Sequence, residues 1–300
     1  GRGASAVVLA LLPEDLQPRP RLPLDPHGGG ARRALSGAPL STLVVRLSSL
    51  GDVVLAGAVT KAIGDVVFLT RPRWAEVAAR LVGVRQVVHP GDPLPPVEAV
   101  VDLQRSLSSW RARRSAGAPV RSVRRHDLRR RARVWAKVGA PPPPVVSRYA
   151  EAAGVSPAAP PWITVDGPRD ALLLCVGAAW ATKRWPAERF ITLGRTWDGP
   201  IHVLGGPRDT ARVRDVANGI GRRAHATAEK GFTQTLERLG HGARAVGGDT
   251  GLTHLCLAAG IPTVGVFGPT TSEDGFWHWD APAVQLPLPC RPCSRHGGPR

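Results

Sequence analysis

Apolar positions along the chain come in short runs, and polar turns follow them at regular intervals. In the earlier part, Thr42–Leu47 predicts a strand, Ser48–Asp52 a turn and Val53–Ala62 a helix. Val66–Leu69 predicts a second strand, Arg73–Leu81 a helix, and Gln86–Val88 and Ala99–Asp102 further short strands. The later part repeats the rhythm. Strands are predicted at Ala171–Val176, Ile201–Leu204, Ala243–Gly247 and Thr263–Phe267. Helices are predicted at Ala187–Thr196, Asp209–Asn218, Thr233–Gly240 and Leu252–Ala259. Apolar runs this short, alternating with helical periods, place the chain in the α/β class, with parallel sheets covered by helices. Pro141–Pro144 breaks the chain, Val145–Ala153 predicts a helix, and Ser156–Pro161 is the best linker. The expected division is a disordered extension rich in Pro, Arg and Gly over 1–40, a first domain over 41–157 and a second over 158–300.

The turns that follow the strands hold the candidate chemistry. Ligands of open α/β sheets sit at the carboxyl ends of the strands. At Gly248-Asp249-Thr250-Gly251 the two glycines let backbone approach a ligand closely. The first amides of the helix that follows favour phosphate. Asp249 and His254 can hydrogen-bond hydroxyl groups. The plainer reading is that Asp249 or Thr250 caps that helix. Asp52 carries the same two readings: a first-turn acid satisfying a helix dipole, or a general base aimed into a cleft. Lys183, in Trp180-Ala-Thr-Lys-Arg-Trp-Pro186, is either a surface lysine before a helix with proline near its start or a cation for a phosphate leaving group.

Charge changes the picture. The chain of 300 residues carries a formal net charge of +17. Residues 1–150 hold 24 Lys and Arg against 10 Asp and Glu, a net of +14, and residues 151–300 a net of +3. The first half should therefore meet something anionic: nucleic acid, a lipid surface or a phosphorylated substrate. Ten arginines fall between Arg111 and Arg133, flanked by Trp110 and Trp135. The run reads as a solvated, loosely structured basic surface, with a membrane-surface role as the alternative. Nucleic acid is disfavoured, because no nucleic-acid motif is present and aromatic residues are only 5%. Dinucleotide oxidoreduction is disfavoured too, since neither half opens with Gly-x-Gly-x-x-Gly.

Four cysteines do not suggest an oxidised framework. Cys175 and Cys256 lie in apolar core-like segments. Cys290 and Cys293 form a lone Cys-x-x-Cys with only His296 near, which is a poor zinc set. A reducing cytoplasm fits this usage. The Ala6–Leu12 run is too short for a membrane span. The chain has no Met and reads as a fragment or a mis-started reading frame.

Three stretches together resemble glycosyltransferase family 9, the ADP-heptose:lipopolysaccharide heptosyltransferases. They are Val45-Arg-Leu-Ser-Ser-Leu-Gly-Asp-Val-Val54, Thr182-Lys-Arg-Trp-Pro186, and Asp249-Thr-Gly-Leu-Thr-His254 running on to Val266-Phe-Gly-Pro-Thr270. The likeness covers roughly residues 41–293. It implies a GT-B fold: two Rossmann-like domains facing across a cleft, the acceptor on the first and the nucleotide-sugar on the second. By residue, the family's catalytic aspartate falls on Asp52 and its phosphate-binding lysine on Lys183. Thr182, Asp249, Thr250, Gly251 and His254 fall on donor-binding positions, and Asp209 on the acidic residue near the ribose, often glutamate in other members. Ala178 and Ala179 stand where some members carry hydroxyls. Ser49, Gly51, Arg111, Arg113 and Arg114 are expected on the acceptor side. The family continues beyond Cys290-Arg-Pro-Cys293 with a C-terminal helix, so the C-terminal part is expected to be truncated.

The implied reaction is inverting and independent of metal, because no Asp-x-Asp pair is present and fixed cations replace the ion. No cofactor is expected. The expected partners are an ADP-heptose-like donor, an anionic lipopolysaccharide precursor and, peripherally, the inner face of the inner membrane. Two competitors stand beside this reading. One is a same-fold nucleotide-sugar enzyme with another acceptor, or an epimerase, which would turn over donor without acceptor. The other is a non-catalytic binder of anionic polymer or membrane.

Overall fold

The computed structural model describes residues 41–228, 231–274, 276–277, 281–294 and 297–298. The extension expected over 1–40, and His296, lie outside them. The earlier strands are β1 (Ser41–Val45), β2 (Val66–Leu69), β3 (Val84–Val88), β4 (Val97–Asp102) and β5 (Val120–Ser122). They form one sheet in the order β3-β2-β1-β4-β5, every neighbour parallel. The later strands are β6 (Ala171–Cys175), β7 (Ile201–Gly205), β8 (Ala224–Ala228), β9 (Gly242–Gly248), β10 (Thr263–Phe267) and β11 (Ala283–Gln285). They form a second parallel sheet in the order β11-β10-β9-β6-β7-β8. Read from β6, that is the Rossmann order, and the crevice for ligands opens where the order reverses, between β6 and β9. In the first sheet the reversal lies between β1 and β4.

The helices are α1 (Leu50–Leu55), α2 (Gly57–Ile63), α3 (Ala75–Ala79), α4 (Leu107–Arg113), α5 (Asp127–Trp135) and α6 (Val145–Ala153) in the earlier part. α7 (Ala187–Arg195), α8 (Thr210–Ile220), α9 (Thr233–Gly240) and α10 (Gly251–Ala258) follow. Strands β2 and β6 are buried at every position, because helices cover both faces of a parallel sheet. The helix predicted over Val53–Ala62 is two helices meeting at Ala56. Gly57, at the start of α2, lies so close to Trp162 that a β-carbon there would sit 2.6 Å from the Trp162 Cβ.

Three strands escaped the hydrophobic pattern: β5, β8 and β11. All are edge strands and largely solvent-exposed or half-buried, so they need no apolar alternation. The loosely structured surface expected over Arg111–Arg133 is instead the end of α4, strand β5 and most of α5. Apolar anchors explain the order: Val123 and Val134 are buried between the arginines. α5 also reaches the second sheet's side of the molecule, with the Arg130 guanidinium 5.2 Å from the Phe276 ring centre and Arg133 3.7 Å from Glu273.

Trp162 and Ile163 are fully buried just past the expected linker. Trp162 donates its backbone N–H to Ala258 at 2.6 Å, while its carbonyl accepts from Val82 at 2.7 Å. The junction is therefore tied to both units. Cys175 and Cys256 sit in the core with their sulfurs 3.7 Å apart. The Cys290 and Cys293 sulfurs are 3.8 Å apart, and no group of three metal-binding side chains is placed to hold an ion among the described residues. No helix among them is long and apolar enough to cross a membrane.

Candidate active site

The carboxyl ends of β1 and β9 face each other, and a helix starts at each. α1 and α10 meet at their first turns. A β-carbon on Gly251 would lie 2.7 Å from the Leu50 side chain, and one on Gly51 3.0 Å from the His254 ring. Glycine at both positions is what lets the two helix starts approach. The role expected for Gly251, approach to a ligand, is thus shared with approach to the opposite unit. Around this contact opens a cleft of about 950 Å³.

Asp52 occupies the third position of α1 and serves two sets of partners. Its Oδ2 accepts from the Ser49 backbone N–H at 3.1 Å and the Ser49 hydroxyl at 2.8 Å, which closes the helix start. Its Oδ1 pairs with Arg46 at 2.8 Å and accepts from the Tyr149 hydroxyl at 3.1 Å. Burial pushes the Asp52 carboxyl up, but the Arg46 charge and the Ser49 bonds outweigh it and hold the group below the usual carboxylate range. Arg46 leaves the end of β1, bonds the Leu103 carbonyl at 2.5 Å and lies 5.7 Å from the Tyr149 ring centre. Burial also drives the Tyr149 hydroxyl well above its ordinary value, so it stays protonated and donates.

Asp249 faces this group from the second unit. Lys183 donates to its Oδ2 at 2.6 Å and to its carbonyl at 3.2 Å. The Thr270 hydroxyl donates to the same Oδ2 at 2.9 Å, and His254 Nε2 lies 3.6 Å from Oδ1. Burial pushes the Asp249 carboxyl up, and His254 and Lys183 together pull it far below the usual range. Neither Asp249 nor Thr250 caps α10: the N-cap residue Thr250 makes no side-chain bond to the helix amides. The first turn of α10 is therefore open to an anion.

The cleft brings together Ser49, Gly51, Asp52, Lys183, Asp249, Thr250, Gly251 and His254. Asp209 lies in an adjoining recess of about 550 Å³ beside Gly177, Ala178 and Gly206. There it accepts from the Gly206 N–H and from Arg184, each at 3.2 Å. A β-carbon on Gly177 would lie 2.4 Å from its Oδ2, so the glycine makes room for the acid. Thr182 is set back from the cleft and donates to the Gly297 carbonyl.

The three acceptor arginines expected at 111, 113 and 114 do not line the cleft. Arg113 turns inward to Asp102 at 3.0 Å, and Arg111 and Arg114 are exposed on the outside. The run does reach the cleft, through Arg124, Arg125, Arg130 and Arg131. Arg46, Tyr149, Arg148 and Thr270 are site members that the sequence reading did not single out. Arg46 and Thr270 stood inside the quoted motifs. Arg148 and Tyr149 had no signal beyond the helix predicted around them.

In all, nine basic side chains and three carboxylates line the cleft, so its natural occupant is anionic. Arg148 is a pointed case. Burial, with repulsion from Arg130 and Arg46, lowers its pKa, and its Nε is buried without a partner. A bound anion would relieve both.

The family model described as glycosyltransferase family 9 (heptosyltransferase) matches residues 99–297. Among solved structures, a family 9 glycosyl transferase from Veillonella parvula is 17% identical, with 85% of this chain and 88% of that one covered and a TM-score of 0.62. The E. coli heptosyltransferase WaaC, solved with ADP, is 18% identical over 83% of this chain and 94% of that one, TM-score 0.62. The E. coli ADP-heptose lps heptosyltransferase II is 16% identical over 82% and 91%, TM-score 0.63. No curated protein sequence matches the chain significantly. The fold is thus GT-B, two Rossmann-like units across a cleft.

Proposed function

Because the chain belongs to glycosyltransferase family 9, it is a glycosyltransferase, and we infer that it moves a heptose or related sugar from an ADP-sugar to the inner core of a lipopolysaccharide precursor. The observation that carries this reading is the cleft itself. A carboxylate on one helix start faces a lysine–aspartate pair and an uncapped helix start on the other, inside a ring of arginines.

In the proposed reaction the acceptor hydroxyl attacks the anomeric carbon from the face opposite the diphosphate, with inversion. The bond from that carbon to the diphosphate oxygen breaks, and positive charge develops on the sugar ring as in glycoside hydrolysis. Asp52 takes the hydroxyl proton. Its lowered pKa keeps it ionised at neutral pH, so every molecule is ready to accept. Lys183 and the open amides of α10 offset the charge growing on the leaving diphosphate. Fixed cations fill the role that a metal would otherwise take. Asp249 and His254 hold sugar hydroxyls and phosphate oxygens, Thr250 and Gly251 the diphosphate, and Asp209 the ribose, with Thr182 supporting the loop that carries Lys183. Arg124, Arg125, Arg130, Arg131 and Arg148, which line the cleft, meet the acidic sugars and phosphates of the acceptor in place of Arg111, Arg113 and Arg114. The protein works on the inner face of the inner membrane, in peripheral contact with it.

A coupled assay of ADP release tests this, run with a panel of nucleotide-sugars, with and without Kdo-lipid acceptor. Release that depends on both an ADP-heptose and the acceptor is the expected result. Donor turnover without acceptor would favour an epimerase-like reaction.

A further inference from the structure

Helices α4 and α5 present faces that the cleft does not use. On α4, Leu107, Trp110, Arg111 and Arg114 fall at helical spacing on one side, and all four are exposed. On α5, Leu128 and Trp135 are exposed two turns apart on one side, with Arg129 exposed beside Leu128, while Val134 turns inward. The apolar members are far more exposed than their size predicts: Leu107 61%, Trp110 48%, Leu128 81% and Trp135 74%. Single exposed apolar residues need no explanation, but four large ones on two neighbouring basic helices do.

The two faces belong to one edge of the molecule. β4 and β5 are parallel neighbours, with Asp102 opposite Ser122, so the segments that leave them emerge on the same side. Arg125, just before α5, donates to the carbonyls of Gln104 and Arg105, just before α4. This is also the edge on which the cleft opens.

Charge names the occupant. Between residues 107 and 138 there are ten arginines and one lysine against a single acid, Asp127. Arginine interleaved with tryptophan and leucine on amphipathic helices fits an anionic bilayer: the guanidinium groups meet lipid phosphate while the rings and leucines enter the headgroup boundary.

We propose that α4 and α5 form a docking surface for an anionic lipid bilayer, which holds the mouth of the cleft against the membrane. The proposal deepens the reading of the chain as a transferase with a membrane-borne acceptor and rests on it. It assigns the docking to Leu107, Trp110, Leu128 and Trp135 with Arg111, Arg114 and Arg129, separate from the arginines inside the cleft.

The test is co-sedimentation of the full chain with vesicles of phosphatidylcholine alone and of phosphatidylcholine with phosphatidylglycerol. Transfer to a delipidated, water-soluble acceptor is measured in parallel. Binding should need the anionic lipid and weaken as salt rises. The triple variant Trp110→Ser, Leu128→Ser, Trp135→Ser should lower vesicle partitioning roughly ten-fold or more. Arg111→Gln with Arg114→Gln should lower it about five-fold per charge. Both should keep native melting and native transfer to the soluble acceptor. Native protein that ignores anionic vesicles, or variants that bind them as well as native, would overturn the docking surface. So would concentration-dependent self-association that the same substitutions abolish, since the face would then receive a second copy. Vesicle binding of the expected pattern with no transfer from any donor would instead sink the proposed function and leave the docking surface standing.

Discussion

The Arg46–Asp52 and Lys183–Asp249 pairs sit on opposite units at equivalent places, the start of the helix that follows an inner strand. Both carboxylates are largely buried, with 15% and 11% of the side chain exposed, and both are held below the usual range. The cations differ. Arg46 is clamped by the Leu103 carbonyl and the Tyr149 ring as well as by Asp52. Lys183 reaches in from a separate turn, and among the described residues its ammonium donates to Asp249 alone. An arginine fixed on several sides keeps its carboxylate ionised and aimed. A lysine on a flexible stem is a point charge that can turn from its aspartate to a phosphate. On the proposed function, the first pair stays together and the second parts when a donor arrives.

The largest expected effect lies on the fixed pair. Asp52→Asn keeps the size and much of the cap but cannot accept a proton, so kcat should fall by ~10²–10⁴. Donor affinity and melting should stay close to native. A variant that melts early yet turns over normally per folded molecule would make Asp52 a helix cap alone. Next comes the parting pair. Lys183→Ala should lower kcat by ~10²–10³ and loosen the donor diphosphate, with Lys183→Arg recovering only part. Donor affinity unchanged in the alanine variant would return Lys183 to a structural partner of Asp249.

Arg46→Gln asks whether the fixed pair is held by its cation. Breaking a largely buried pair from one side should cost about 3 kcal/mol, read from urea unfolding. The pH dependence sharpens this. In the native protein the folded pKa values of Asp52 and Asp249 lie below the unfolded value of about 4. The stability these groups add is present above that pH and lost as pH falls through the lowered folded values. In Arg46→Gln, Asp52 keeps its burial without its main opposing charge, so its share of that acid loss should shrink or reverse. An unchanged acid limb would show that the Ser49 and Tyr149 bonds hold the carboxylate without Arg46.

How much of this was legible beforehand follows a physical line. Interior strands β1, β2, β6, β7, β9 and β10 announce themselves by largely apolar runs, interrupted by residues such as His202 in β7 and Arg244 in β9, because both their faces are covered. The edge strands β5, β8 and β11 carry polar side chains and give no such signal. The site divides the same way. Asp52, Lys183 and Asp249 stand in turns after interior strands, where a lone acid or base is conspicuous. Arg148 and Tyr149 sit mid-helix, and only the packing of α6 against the first sheet turns them to the cleft. The arginine run was legible as a charge, but which members face inward depends on the anchors Val123 and Val134.

That last point gives the next effect in size. Arg148→Gln or Arg130→Gln should raise the acceptor KM about ten-fold each, the scale of one bond to a charged group, with donor KM little changed. Arg111→Gln should leave the KM for a soluble acceptor as it was. Equal effects from inward and outward members would mean that the run acts as a diffuse field, and raising salt would then erase both.

The smallest expected effect concerns Tyr149, whose hydroxyl donates to Asp52 of the fixed pair. Its hydroxyl gives Asp52 Oδ1 one bond at 3.1 Å, and Arg46 already satisfies that oxygen at 2.8 Å. Tyr149→Phe keeps the ring under Arg46 and removes only the donor. The loss should be about 1 kcal/mol of stability, the net worth of an ordinary hydrogen bond. The carboxylate loses a bond to its charged form, so its pKa should rise slightly and the acid limb of kcat/KM should move to higher pH. Turnover on the plateau should stay within a few-fold of native. The comparison with Asp52→Asn then separates the two groups at one oxygen. If Tyr149→Phe abolished turnover while Asp52→Asn kept it, the hydroxyl would be the proton-handling group and the fixed pair merely its support. The burial that pushes Tyr149 far above its ordinary value argues against that outcome, because a phenol held protonated cannot begin the reaction as a base.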